Sequence, residues 1–147
     1  MSKTMTVKFK YLLLDTHIWV WLMNGSDELN RKEYLRLIEQ YSRRDALRIC
    51  AISVWELGML VAKNRLTLSK DVSHWVKESL KGYGLALEPL SVDILLESTQ
   101  MGGDAHGDPA DRLILTTAKN IRAAVMTADD KMISYCQRHN LPVESVR

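Results

Sequence analysis

No stretch of this chain stays apolar long enough to cross a membrane. The longest runs without a charge-breaking polar residue, Ile18 to Met23 and Leu57 to Ala62, fall well short of the roughly 20 residues a bilayer requires. The opening segment carries Lys3, Lys8 and Lys10 but no apolar core ending in a cleavage site, so a secretory leader is not expected. Cysteine is scarce: Cys50 and Cys136 lie far apart and form no CxxC pair. They read as buried free thiols of a reducing, cytoplasmic setting. No H-x-x-x-H or Cys/His spacing suggests zinc. A lysine block and a basic tail are both missing, and 20 Lys plus Arg nearly balance 18 Asp plus Glu. Net charge therefore singles out no partner, and nucleic-acid binding would need a local patch. The glycine-rich loop from Gly102 to Gly107 lacks the Gly-Lys-Ser/Thr ending of a phosphate-binding loop. Repeats, low-complexity tracts and linkers are absent as well. At 147 residues the chain is expected to form one domain, 1–147, long enough to bury a core.

What is present is organised around Tyr11-Leu-Leu-Leu-Asp15-Thr16-His17. The apolar run Leu12 to Leu14 ends at an acid and gives way to a helical pattern, as a buried strand of a parallel sheet does. Thr16 to Met23 reads as a helix, and Ser26 or Asp27 is placed to cap the next one, with Tyr34, Leu35, Ile38 and Tyr41 inward. Leu47 to Ile52 is the second strand, followed by Ser53-Val-Trp-Glu56 and an apolar helix to Ala62. Val72, Trp75, Val76, Leu80 and Tyr83 share a helical face closed by Gly82 and Gly84. Leu85 to Leu87 is a short third strand, and the helix opened by Ser91 turns Val92, Leu95 and Leu96 inward. Asp108-Pro109-Ala110-Asp111 opens a helix with Leu113, Ile114, Ala118 and Ile121 on its buried side. Ala123 to Met126 is the fourth strand, Thr127 and Asp129 start the last long helix, and Leu141 to Val146 is an edge strand. Strands alternating with helices in this way build a parallel sheet covered on both faces.

The acids fall at telling places. Asp15, Glu56 and Asp129 each follow a predicted strand within a few residues, and ligand sites of open α/β sheets lie at that edge. Asp111 opens a helix after the glycine-rich loop and reaches the same edge. Each has a structural explanation. Ser53 to Glu56 matches a capping box, and Asp15, Asp108 and Asp129 suit helix caps. Capping alone does not gather every acid on one edge. Carboxylates brought this close raise one another's pKa values. A hard divalent cation, Mg²⁺ or Mn²⁺, removes that conflict and can activate water against a phosphodiester.

The constellation resembles the PIN domain, and within it the toxin ribonucleases of VapBC toxin–antitoxin pairs. The residues that carry the likeness are Leu14-Asp15-Thr16-His17, Ile52-Ser53-Val54-Trp55-Glu56, Asp108-Pro109-Ala110-Asp111-Arg112-Leu113-Ile114 and Val125-Met126-Thr127-Ala128-Asp129. The family often has Asn where His17 stands. The resemblance implies a PIN-like three-layer α/β/α sandwich around a mainly parallel sheet of four to five strands. It implies a metal-dependent endoribonuclease with Asp15, Glu56, Asp111 and Asp129 as catalytic metal ligands for Mg²⁺ or Mn²⁺. Thr127 matches the family's small hydroxyl residue near the metal, and Asp108 is an auxiliary acid or simply the cap. The implied substrate is transfer, ribosomal or messenger RNA. The implied partners are a VapB-type antitoxin in the groove by the site and a second copy in a homodimer.

Other residues are less decisive. His17 faces a phosphate or bonds within the first helical turn, and His106 is a candidate substrate contact. Arg112 is aimed at RNA phosphate or back at a carboxylate. Arg43, Arg44, Arg48, Lys63, Arg65, Lys119 and Arg122 are phosphate candidates whose simpler reading is a solvated basic face. His74 and His139 read as helix-surface residues. Trp19, Trp21, Trp55 and Trp75 read mostly as core, with Trp21 the one suited to a partner surface. A receiver domain needs paired acids after the first strand and a late lysine, where this chain has Asp15 alone and Asp129. A haloacid-dehalogenase-type phosphatase needs Asp at the position of His17. The alternatives left are a PIN nuclease of RNA processing and a non-catalytic PIN module that binds RNA or protein.

Overall fold

A computed structural model describes residues 9–102 and 107–147. His106 lies outside them. Among the described residues five strands alternate with seven α-helices. They run β1 (Tyr11–Leu14), α1 (Thr16–Asn24), α2 (Lys32–Arg43), β2 (Leu47–Cys50), α3 (Ala51–Ala62), α4 (Val72–Ser79), β3 (Leu85–Glu88), α5 (Val92–Thr99), α6 (Pro109–Ile121), β4 (Ala123–Thr127), α7 (Asp130–Arg138) and β5 (Val143–Ser145). Every pairing is parallel, in the order β3-β2-β1-β4-β5. The expected α/β class with a central parallel sheet is what forms, and no described helix is long and apolar enough to span a membrane.

Side chains alternate across a strand, so β1 feeds two cores. Leu12 and Leu14 join Leu47, Ile49, Ala124 and Met126 beneath Ile18 and Trp19 of α1, Ile38 and Tyr41 of α2, and Trp75 of α4. Leu13 turns the other way, with Val125, to meet Ile114 and Leu115 of α6 and Met132 and Cys136 of α7. Leu12, Leu13 and Leu14 are fully buried, and truncating any of them to Ala would cost about 2–5 kcal/mol. The chain grows outward from β1 through β2 to β3, then returns to the opposite side for β4 and β5. The crevice between diverging connections therefore opens beyond the ends of β1 and β4, where such sheets bind ligands.

Several local expectations are corrected. Strand β2 stops at Cys50, and α3 begins at Ala51 with Cys50 as its N-cap. Ser53 and Glu56 therefore lie inside the helix and form no capping box. Ser26 precedes only a 3-10 turn, Asp27–Leu29, and α2 starts at Lys32. Helix α4 ends at Ser79, before Gly82 and Gly84. Gly84, at φ +64°, serves a close approach instead, because a Cβ there would sit 2.3 Å from the Ser42 carbonyl oxygen. Helix α5 packs on α6 through Ile94 and Ser98, which leaves Val92, Leu95 and Leu96 exposed. Leu35, Tyr83 and Trp55 also face outward, whereas Trp19 and Trp75 are core and pack against each other at 5.2 Å.

Candidate active site

Asp15 follows the last residue of β1 and caps α1. Its Oδ1 accepts the Thr16 N–H at 2.8 Å, and its Oδ2 accepts the Thr127 hydroxyl at 2.7 Å. It is 6% exposed, and burial raises its pKa despite both bonds. Thr127 is the last residue of β4, fully buried, and its Oγ1 also accepts the Asp129 N–H at 3.1 Å. Glu56 reaches the same place from the second turn of α3, where its Oε1 accepts a hydrogen bond from Thr16 Oγ1. Burial raises the Glu56 pKa, and the charges of Asp15 and Asp108 add to the effect against the Thr16 bond.

The opposite side is built from two helix starts. Asp108 caps α6, its Oδ1 accepting from Ala110 N at 2.8 Å and Asp111 N at 3.3 Å. Asp129 caps α7, its Oδ1 accepting from Lys131 N at 2.8 Å and Met132 N at 3.2 Å. Asp111, in the first turn of α6, is 7% exposed. Its pKa is pushed up to about 8, first by burial and then by the charges of Asp15, Asp108, Asp129 and Glu56. With Asp15 and Glu56 raised as well, burial and crowding disfavour full ionisation of the metal-free site.

Asp15, Glu56, Asp108, Asp111 and Asp129, with His17, Trp21 and Ala128, line one cleft of about 330 Å³. The residues predicted from the sequence thus come together, and capping coexists with this placement rather than replacing it. Thr127 is buried and bonded to Asp15, and Arg112 does not line the cleft. His17 is exposed, with its ring 6.3 Å from that of Trp21. One carboxylate oxygen each from Glu56, Asp108 and Asp111 lies within 4.8 Å of the others. An all-oxygen donor set of crowded carboxyls with raised pKa values fits a hard divalent cation, which would offset their mutual repulsion.

Two residues quoted in the motifs, Thr16 and Ser53, take a part at the site that the sequence reading did not assign them. Thr16 and Ser53 are fully buried, and Thr16 Oγ1 is bonded to Ser53 Oγ at 2.8 Å. The signal lay in the spacing Ser53-x-x-Glu56, which puts both on one side of a helix, here facing α1. Among the basic candidates, Arg48 is engaged structurally: it pairs with Glu88 at 3.3 Å and covers the Tyr11 ring at 4.3 Å. Arg43 and Lys119 pair with Glu39 and Glu97.

Fold and cleft together define an α/β protein whose functional edge is made of carboxylates at the switch point of a parallel sheet. The chain belongs to the PIN domain family, whose pattern matches residues 12–137. It is 29% identical over 135 residues to Ribonuclease VapC22 of Mycobacterium tuberculosis, an alignment spanning 90% of this chain and 95% of that protein. Among solved structures it resembles the crystal structure of VapBC2 from Rickettsia felis bound to a DNA fragment from their promoter. There the TM-score is 0.68 and the identity 18%, over 93% of this chain and 99% of the other. It also resembles the crystal structure of FitAcB from Neisseria gonorrhoeae, at a TM-score of 0.58 and 20% identity, over 90% of this chain and 95% of that one. At those identities the structural likeness speaks for the fold.

Proposed function

We propose that the chain is a single-domain toxin ribonuclease of the VapC type, acting in the cytoplasm with Mg²⁺ or Mn²⁺. The observation that carries the reading is the cleft itself: five carboxyl groups line it, and burial and the neighbouring acids push the Asp111 pKa up to about 8. The similarity to a ribonuclease along 90% of this chain supports the nuclease part. The likeness to VapBC and FitAB assemblies supports an antitoxin as partner. RNA is the substrate, the partner is a VapB-type antitoxin, and the working form is a homodimer.

Asp15, Glu56, Asp111 and Asp129 would hold the metal, with Asp108 as an auxiliary acid at the third corner of the closest oxygen triple. A bound divalent cation supplies charge stabilisation for the phosphodiester and lowers the pKa of an attacking water. The protein's own residues supply the rest. Thr127 and the Thr16 N–H fix both oxygens of Asp15, so its carboxylate loses no orientation when a ligand arrives. To serve as a ligand, Asp111 would have to be ionised, which a bound cation would favour. His17, exposed at the cleft, is placed to donate to an RNA phosphate.

The test is cleavage of a structured RNA pool, transfer RNAs included, by antitoxin-free protein. It is run with Mg²⁺ or Mn²⁺, with EDTA, and with Asp15→Asn in parallel. The expected result is metal-dependent cutting that EDTA and the substitution both abolish, with the variant as well folded as wild type. A well-folded wild type that cuts nothing under either metal would overturn the nuclease reading.

A further inference from the structure

Glu56 is a long side chain on the inner turn of a helix, and it is only half-buried. Asp15 and Asp108 repel it and burial disfavours its charge, more than His17 at the cleft offsets, so keeping it ordered there costs rotamer freedom. The restraint comes from behind. Thr16 Oγ1 bonds to Glu56 Oε1 and, at 2.8 Å, to Ser53 Oγ. The Thr16 N–H meanwhile donates to Asp15 Oδ1 at 2.8 Å. One residue therefore touches two acids that come from different elements.

A hydroxyl has a single hydrogen. With Glu56 ionised, that hydrogen goes to the carboxylate, and Thr16 Oγ1 then receives from Ser53. The chain of bonds runs one way, from Ser53 through Thr16 to Glu56. Both hydroxyls are fully buried, so water does not compete for them, and each is costly to leave unpaired. The bond to one carboxylate oxygen leaves the second available to a ligand.

We propose that Thr16, oriented by Ser53, is the positioning residue that holds Glu56 at the spacing from Asp108 and Asp111 that a divalent cation requires. The inference rests on the metal-dependent reading above and deepens it. Thr127 gives Asp15 a hydroxyl from β4, and Thr16 gives Glu56 one from α1.

The test titrates the full chain with Mn²⁺ by calorimetry and follows RNA cleavage against Mn²⁺ concentration. Thr16→Val keeps the shape and removes the hydroxyl. Mn²⁺ affinity is expected to fall about 10- to 100-fold. The metal concentration for half-maximal cleavage should rise by a similar factor, with kcat at saturating Mn²⁺ changed much less. Thr16→Ser restores the affinity, and Ser53→Ala gives a smaller loss in the same direction. Thermal melting checks that each variant is folded. A folded Thr16→Val that binds Mn²⁺ as tightly as wild type overturns the assignment. If Thr16→Val does not fold, wild-type affinity in Ser53→Ala overturns it instead, and weakened affinity supports it. Wild type that neither binds Mn²⁺ nor cuts RNA brings down the metal-dependent reading and this inference together, whereas failure confined to the variants leaves that reading standing.

Discussion

On one wall of the cleft Asp15 and Glu56 are held by the hydroxyls of Thr127 and Thr16, which stand 112 and 40 residues away in the chain, with Asp15 also capping α1 through the Thr16 N–H. On the other wall Asp108 and Asp129 are held by backbone N–H groups two and three residues further on. The difference decides what each wall depends on. A capping carboxylate is fixed by the helix it starts, gains from that helix's dipole and is in place once the helix is. A carboxylate tethered by a remote hydroxyl is in place only when two separate elements are docked. Asp111 sits between them in the first turn of α6, its pKa pushed up to about 8 by burial and by the charges of the surrounding acids.

The largest effect should come from that residue. Asp111→Asn is expected to cut RNA cleavage by more than about 100-fold, beyond the loss typical of removing an outer partner. The same variant separates charge from fold. A carboxyl whose folded-state pKa is raised binds its proton more tightly in the native state, so its contribution to stability is complete below the unfolded value and lost as pH rises through the folded one. Metal-free wild type should therefore lose stability between pH 3.8 and about 8 on this account. Melting temperatures measured across that range should fall less steeply in Asp111→Asn, and a slope identical to wild type would remove Asp111 as the source.

Next in size is the hydroxyl wall. Thr127→Val leaves Asp15 Oδ2 without its donor, and cleavage should fall by about 10-fold or more, with Thr127→Ser restoring it. Steady-state cleavage of the same RNA measures both. Equal activity in all three proteins would mean that Asp15 needs no tether. The smallest effect belongs to the capped wall. Asp108→Ala should cost about 1 kcal/mol of stability in urea unfolding. Asp108→Asn keeps the cap, unfolds within a few tenths of a kcal/mol of wild type, and lowers cleavage by less than about tenfold. Unchanged cleavage in Asp108→Asn would make Asp108 a cap and nothing more.

The same contrast explains what could be read from the sequence. Caps are local, so Asp15, Asp108 and Asp129 were legible as helix starts, and the strand-then-acid pattern put Asp15, Glu56 and Asp129 on one edge. The element order was legible too, because buried parallel strands are short apolar runs between helical patterns. Tethers were not. Nothing in the sequence around Asp15 points to Thr127, and the pairing exists only because β1 lies beside β4 in the sheet. The Ser53-x-x-Glu56 spacing was noticed for the wrong reason: with Cys50 as the cap, both side chains are turned toward Thr16 instead of the backbone. Some apolar side chains on α3 and α5 were misread as inward. Trp55 on α3 and Val92, Leu95 and Leu96 on α5 are exposed because the packed stripe of each helix is narrower than its apolar content.

Because β1 sits between β2 and β4, the centre of the sheet closes only when late-made chain pairs with the earliest strand. During synthesis, Asp15 and Glu56 leave the ribosome long before Thr127 and Asp129 exist. Parallel pairing over such a separation is slow to form. A nascent chain that has not reached residue 127 has neither the tether for Asp15 nor the last carboxylate of the cleft. The fold thus leaves the cleft of a growing chain incomplete until β4 has paired with β1.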